Sequence, residues 1–256
     1  MKTLLAFMKK EFKAHLRTGK ILVMGILAVV FGIMNPGIAY VTPMLLESMS
    51  DVLAESGMVI PAVSVSAVDS WVQFYKNMPI ALIVFVVMES GIFAGEYRTG
   101  TLILALTKGL DRYKAVVSKI VVPAAIWTAA YWLCFVITYL FNAVLWDNAA
   151  AQNLMLSGVC WWLFGLWILS LMILFSVLGK SNTLALLGTG GVYAALMLLG
   201  LFRKIAGYLP TMLSDGTSLV YGMEKAGAYT APALIAVFTL IAFFALSIPV
   251  FNRKQL

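Results

Sequence analysis

Few side chains in this sequence could make or break a covalent bond. Chemistry inside a membrane needs a nucleophile with a base, paired carboxylates, or a metal. The sequence contains neither HExxH nor GxSxG, and its single histidine, His15, lies in a basic N-terminal stretch without the neighbours a metal site requires. Cys134 and Cys160 each fall inside an apolar run, with no CxxC and no metal-ligand spacing, so both read as small buried packing residues. The phosphate-cradling patterns GxxxxGKS and GxxxxGKT are absent throughout. An enzyme reading is therefore set aside, and any ATP this chain depends on must be hydrolysed by another chain.

Glu89 is the acid that sits within an apolar helix, where a carboxylate costs roughly 2.5 to 3.5 kcal/mol on insertion scales. It precedes Glu96 by two helical turns, which puts both on nearly the same face. Two readings stand open. Glu89 is a polar element of a transport path or dimer interface, or it is a carboxylate near the membrane edge, hydrogen-bonded to a neighbouring helix or snorkelling.

The other polar concentration is the segment from Glu96 to Lys119, EYRTGTLILALTKGLDRYKAVVSK. It runs through Glu96, Arg98, Gly100 and Thr101, offers an apolar run that includes Leu102, Ile103 and Leu106, and then returns to charge at Lys108, Asp111, Arg112, Lys114 and Lys119. The five apolar residues 102–106 would rise about 7 to 8 Å as a helix, against about 30 Å of hydrocarbon. The segment must lie at or outside the membrane surface.

The elements that position it are membrane-like. Of 256 residues, 62% are hydrophobic and 11% charged, and the mean hydropathy is +0.96, too apolar for a soluble globular domain. The net charge of +7 does not imply nucleic acid, because the basic residues stand at the ends of apolar runs rather than on one soluble face. The pattern predicts a single all-α, polytopic membrane domain with six spans at 21–40, 78–95, 120–145, 154–178, 183–202 and 229–250.

Residues 1–20 place Leu5, Met8, Phe12 and Leu16 on one helical face and Lys9, Lys10, Lys13 and Arg17 around the other, an interfacial amphipathic helix suited to anionic lipid. Cleavage as a signal peptide is not expected, since no A-x-A site follows. Asn35-Pro36-Gly37 predicts a bend or early end to the first span. The stretch 41–77 reads as an outer loop carrying short surface helices, with Trp71 and Tyr75 at headgroup level. Trp127, Trp132 and Trp146 are expected to mark the depth of the third span, and Trp161, Trp162 and Trp167 to face lipid or packing neighbours in the fourth. The stretch 203–228, broken by Pro210, Gly216 and Gly222, fits two short helices dipping into the outer leaflet. All of the 18 Lys and Arg except Lys76, Arg203, Lys204 and Lys225 then fall on one side, which predicts cytoplasmic termini and a cytoplasmic 96–119 loop.

A Glu leaving the second span, then Gly-Thr-Leu, a short apolar helix, an Arg, and a Lys at the third span resemble the cytoplasmic loop of the ABC type-2 permease family. The matching positions are Glu96, Gly100, Thr101, Leu102, Leu106, Arg112 and Lys119; Gly109 departs, since many relatives have Pro there. The likeness extends over nearly the whole chain in helix number and order. It implies that 96–119 carries a coupling helix seated on an ATPase subunit, with Leu102, Ile103 and Leu106 as the apolar dock and Arg98, Lys108, Asp111 and Arg112 around it. It also implies re-entrant helices before the last span, no cofactor in this chain, and ATP and Mg held by two copies of an ABC ATPase. The further partners implied are a second permease copy or a related permease, in a bacterial plasma membrane. The expected function is the permease subunit of an exporter with an amphipathic or hydrophobic cargo such as a peptide, drug or lipid. The alternative is a secondary transporter or channel working without ATP, for which repeated halves and mid-membrane ionisable sites would be the signature.

Overall fold

The computed structural model describes residues 2–48, 65–100, 107, 111–179 and 181–253. Within them the chain is helical: α1 Lys2–Arg17, α2 Lys20–Ser48, α3 Ala67–Glu89, α4 Ala94–Thr99, α5 Arg112–Leu145, α6 Leu154–Leu178, α7 Asn182–Leu199, α8 Arg203–Ala206, α9 Gly216–Val220 and α10 Thr230–Arg253. Six segments are long and apolar enough to cross a membrane: Lys20–Leu45, Ala67–Tyr97, Arg112–Leu145, Leu154–Leu178, Asn182–Leu199 and Ala226–Arg253.

Helix α6 lies at the centre, touching α3, α5, α7, α9 and α10. Its neighbours approach closely where it is small: a Cβ on Gly165 would stand 2.3 Å from the indole of Trp127 on α5. Three tryptophans of α5 and α6 are consequently core residues. Trp127, Trp161 and Trp167 are buried, and their N–H groups donate to the Trp162 carbonyl at 3.2 Å, the Ser214 carbonyl at 2.7 Å and Thr239 Oγ1 at 2.9 Å. A buried indole keeps its apolar body in the core only if its one donor is matched. Trp127 therefore belongs to the interior of the bundle.

Helix α2 does not end at Pro36. The missing proline N–H leaves the Gly32 carbonyl without its helical donor, and Thr138 of α5 donates to that oxygen at 3.2 Å. Asn35 Nδ2 in turn donates to Thr138 Oγ1 at 3.3 Å, and Asn77 Nδ2 donates to Asn35 Oδ1 at 2.7 Å. Polar side chains from three helices thus satisfy a backbone group that water could not reach. A Cβ on Gly32 would meet Ile137 at 2.7 Å, so the close approach of α5 that brings Thr138 into range depends on glycine there.

Helix α3 begins at Ala67 rather than near 78. Ser66 caps it: the Val68 N–H donates to Ser66 Oγ at 3.3 Å, and Asp69 Oδ2 accepts from the Ser66 N–H at 2.9 Å. Asp69 completes this cap and Lys76 lies on the exposed flank of α3, while residues 49–64 lie outside the described residues. Trp71 and Tyr75 are buried within the bundle, with Trp71 Nε1 donating to Asn148 Oδ1 at 3.0 Å and Tyr75 OH 2.6 Å from Ser157 Oγ. Trp71 and Phe135 lie 4.7 Å apart between ring centres, and Phe74 meets Phe135 edge-on.

Residues 203–228 form α8, α9 and helical turns at Pro210–Ser214 and Ala226–Tyr229. They are fastened to the bundle end where α3 and α6 begin: Leu213, Leu219 and Val220 are fully buried, Gln152 N–H donates to the Val220 carbonyl at 3.0 Å, and Tyr229 OH donates to the Asp215 carbonyl at 2.9 Å.

With 3.6 residues per turn, α1 divides into three faces. Phe7, Glu11 and His15 are buried against the bundle; Leu5, Phe12 and Leu16 are apolar and exposed; Lys9, Lys13 and Arg17 are charged and exposed.

Candidate functional site

Charged residues from α1, α3, α4 and α5 converge at the end of the bundle where the 96–119 segment is rooted. Lys119 lies on α5 and is 2% exposed. Its ammonium stands 3.0 Å from Glu96 Oε2 and 3.2 Å from Glu11 Oε2, and donates to the Ile92 carbonyl at 2.9 Å. Lys10 closes the same ring from outside, 2.6 Å from Glu96 Oε1 and 3.2 Å from Glu11 Oε1. A buried ammonium is tolerable only when its donors and charge are matched, and here two carboxylates and a carbonyl match it.

A second group abuts the first. His15 Nε2 stands 3.0 Å from Glu89 Oε2, and Nδ1 stands 2.8 Å from the Glu11 carbonyl; Lys20 is 3.3 Å from Glu89 Oε1. A carbonyl oxygen can only accept, so Nδ1 carries a proton, and an ionised Glu89 requires one on Nε2 as well. Burial opposes the charged ring, yet the hydrogen bond and charge of Glu89 and the Glu11 carbonyl outweigh it and hold His15 above the ordinary imidazole range. Lys10 is likewise raised: partial burial opposes its charge, but Glu96 and Glu11 outweigh it.

Glu89 and Glu96 do share a side of the bundle, as their spacing implied, and each faces a cation from α1. Glu89 is fully buried and hydrogen-bonded to His15 on a neighbouring helix. Gly100 ends α4 in the left-handed conformation, φ 68°, where glycine is favoured. Asp111 starts α5 and pairs with Lys114, which donates to Thr3 on α1 at 3.1 Å. Arg112 turns to the last helix, donating to the carbonyls of Asn252 at 2.9 Å and Phe251 at 3.4 Å. Arg98 belongs to α4, and Thr101, Leu102, Ile103, Leu106 and Lys108 lie outside the described residues.

The contribution of Lys10, Glu11 and His15 was not apparent from sequence. A usable signal existed: Glu11 is the single acid in residues 1–46, and Phe7, Glu11 and His15 recur every fourth residue. Among the described residues, no three His, Cys, Asp or Glu side chains converge as metal ligands would. The cluster ties both roots of the 96–119 segment to each other and to α1.

A separate apolar groove of about 390 Å³ opens between α3, α6 and α7, lined by Leu82, Val86, Trp161, Phe164, Thr189 and Tyr193 among others.

Six membrane-length helices with their charges gathered at a loop root define a polytopic helical membrane protein. Residues 5–256 match the family described as ABC-2 family transporter protein, and the chain belongs to that family. It is thus a multi-pass permease of ABC-2 type, a transport subunit whose family implies an ABC ATPase as partner. Among curated proteins no match is found.

Proposed function

We propose that this chain is the permease subunit of an ABC exporter, coupled through residues 96–119 to a separate ATPase that holds ATP and Mg. The observation that carries the reading is the Glu96–Lys119 pair at 3.0 Å, tied further to Glu11 and Lys10. A displacement delivered to the segment between those residues would reach α1, α4 and α5 together, as rigid-body coupling requires. In this reading the loop and both termini are cytoplasmic, and Leu102, Ile103 and Leu106 dock on the ATPase with Arg98 and Lys108 at the rim. Asp111 and Arg112 complete that rim at the start of α5, where Asp111 pairs with Lys114 and Arg112 donates to the Asn252 carbonyl. Residues 203–228 act as re-entrant elements at the outer leaflet.

Two permeases, either two copies of this chain or one with a related chain, would enclose the path, and each would engage one ATPase copy. The groove beside α7 would give an amphipathic or hydrophobic cargo apolar walls with a few polar groups, here Thr189 and Tyr193. The test is Leu102→Asp with Leu106→Asp in the complex co-expressed with its ATPase. Transport should be lost while insertion and basal ATP hydrolysis persist. Unchanged transport would overturn the assignment. A secondary transporter would purify without an ATPase.

A further inference from the structure

We propose that the hollow beneath α1 is a binding site for an anionic phospholipid of the leaflet in which α1 lies. A groove of about 410 Å³ runs between the exposed apolar face of α1, the start of α2 and the middle of α5. That volume falls within the roughly 300 to 1,000 Å³ of ligand sites. Phe12 forms its roof, Met24 and Gly25 one wall, and Ile126, Ala129 and Leu133 the other. The shape follows from side-chain size. A Cβ on Gly25 would meet no atom within 4 Å, and Ala129 is exposed, so small residues hold open a concavity that larger apolar ones could have filled.

The face of α1 next to Phe12 carries the matching charge. Lys9, Lys13 and Arg17 follow Phe12 around α1 on the water side, all three exposed. Lys10 and Lys20 are engaged with Glu96, Glu11 and Glu89, whereas no described carboxylate pairs with Lys9, Lys13 or Arg17. Their long side chains can reach a phosphate at the surface while their stems lie along the apolar face. An acyl chain in the groove and a phosphate at this row satisfy the apolar concavity and the unpaired cations together. A zwitterionic lipid also offers a phosphate, but its own ammonium cancels the charge that the basic row would balance. This site is independent of the ATPase dock and of the cargo groove.

The test uses the full chain in nanodiscs of phosphatidylglycerol and phosphatidylcholine in equal parts, released into detergent and weighed by native mass spectrometry. The unaltered protein should retain phosphatidylglycerol in preference. Lys9→Gln, Lys13→Gln and Arg17→Gln together should lower that preference by about fivefold per cation removed. Gly25→Leu with Ala129→Leu should lose retained lipid of both kinds. Preference unchanged in the triple variant, or lipid unchanged in the filled-groove variant, overturns the proposal. Should filling the groove impair folding, p-benzoylphenylalanine in place of Ala129 gives a second readout: photocapture of phospholipid supports the site, and capture of a second copy of the chain instead overturns it.

Discussion

Replacing Lys119 with methionine isolates the central ion cluster. The change keeps most of the side-chain volume and removes the ammonium that stands 3.0 Å from Glu96, 3.2 Å from Glu11 and 2.9 Å from the Ile92 carbonyl. Breaking a buried pair by removing one partner costs about 3 to 5 kcal/mol, because the other charge stays behind uncompensated. Here Lys10 still faces both carboxylates, at 2.6 and 3.2 Å, which places the cost near the lower bound, about 3 kcal/mol. For a chain of this size that corresponds to a fall in Tm of roughly 6 to 12 °C. Lys10→Ala is the contrast. The Lys10 side chain is 46% exposed, so solvent screening limits its loss to about 0 to 1 kcal/mol. Scanning fluorimetry in one detergent would compare the two with Lys119→Met/Glu11→Gln, which removes the stranded charge and should recover part of the loss. Equal melting of the Lys119 and Lys10 variants, or no recovery in the double variant, would refute the claim that burial sets the strength of this cluster.

Three further outcomes follow from the same structure. His15, raised by Glu89 and the Glu11 carbonyl against the opposing effects of burial and Lys20, contributes stability that is complete below its unfolded value of about 6.5 and is lost as pH rises through its higher folded value. His15→Gln should flatten that part of a Tm-against-pH curve, and an unchanged curve would assign the dependence elsewhere. Gly165→Ala should lower stability by about 1 to 3 kcal/mol through overpacking against Trp127, whereas Gly190→Ala, with no atom within 4 Å of its new methyl, should leave Tm within a degree or two of the parent. Thr138→Val removes the donor to the Gly32 carbonyl and the acceptor for Asn35; a cost of about 0.6 to 1.7 kcal/mol is expected for a polar contact between membrane helices, measured as a shift in the unfolding midpoint.

What the sequence disclosed and what it hid divide along range. Helix α6, Leu154–Leu178, is a run of apolar residues between the turn at Asn153 and Gly179, so local composition marks both ends. The beginning of α3 was obscured because Asp69, Gln73, Lys76 and Asn77 look like loop, although Asp69 completes the cap and Asn77 bonds Asn35. The burial of Trp71 and Tyr75 was hidden because their partners, Asn148 and Ser157, come from distant parts of the chain. The apolar and basic faces of α1 could be read from periodicity, and the spacing of Phe7, Glu11 and His15 marks a third face but not what it meets, since Glu11 finds Lys119 108 residues away and His15 finds Glu89 74 residues away. Pairings of that separation leave no periodic trace in either segment.

Helix α7 packs mainly on α6, and only 11% of its membrane-length window is buried within the chain. Its outward residues, including Leu187, Met197 and Leu198, consequently answer to whatever surrounds the protein more than to the protein's own interior. Sequence change there can redirect what this permease associates with long before it threatens the ability of a single chain to fold.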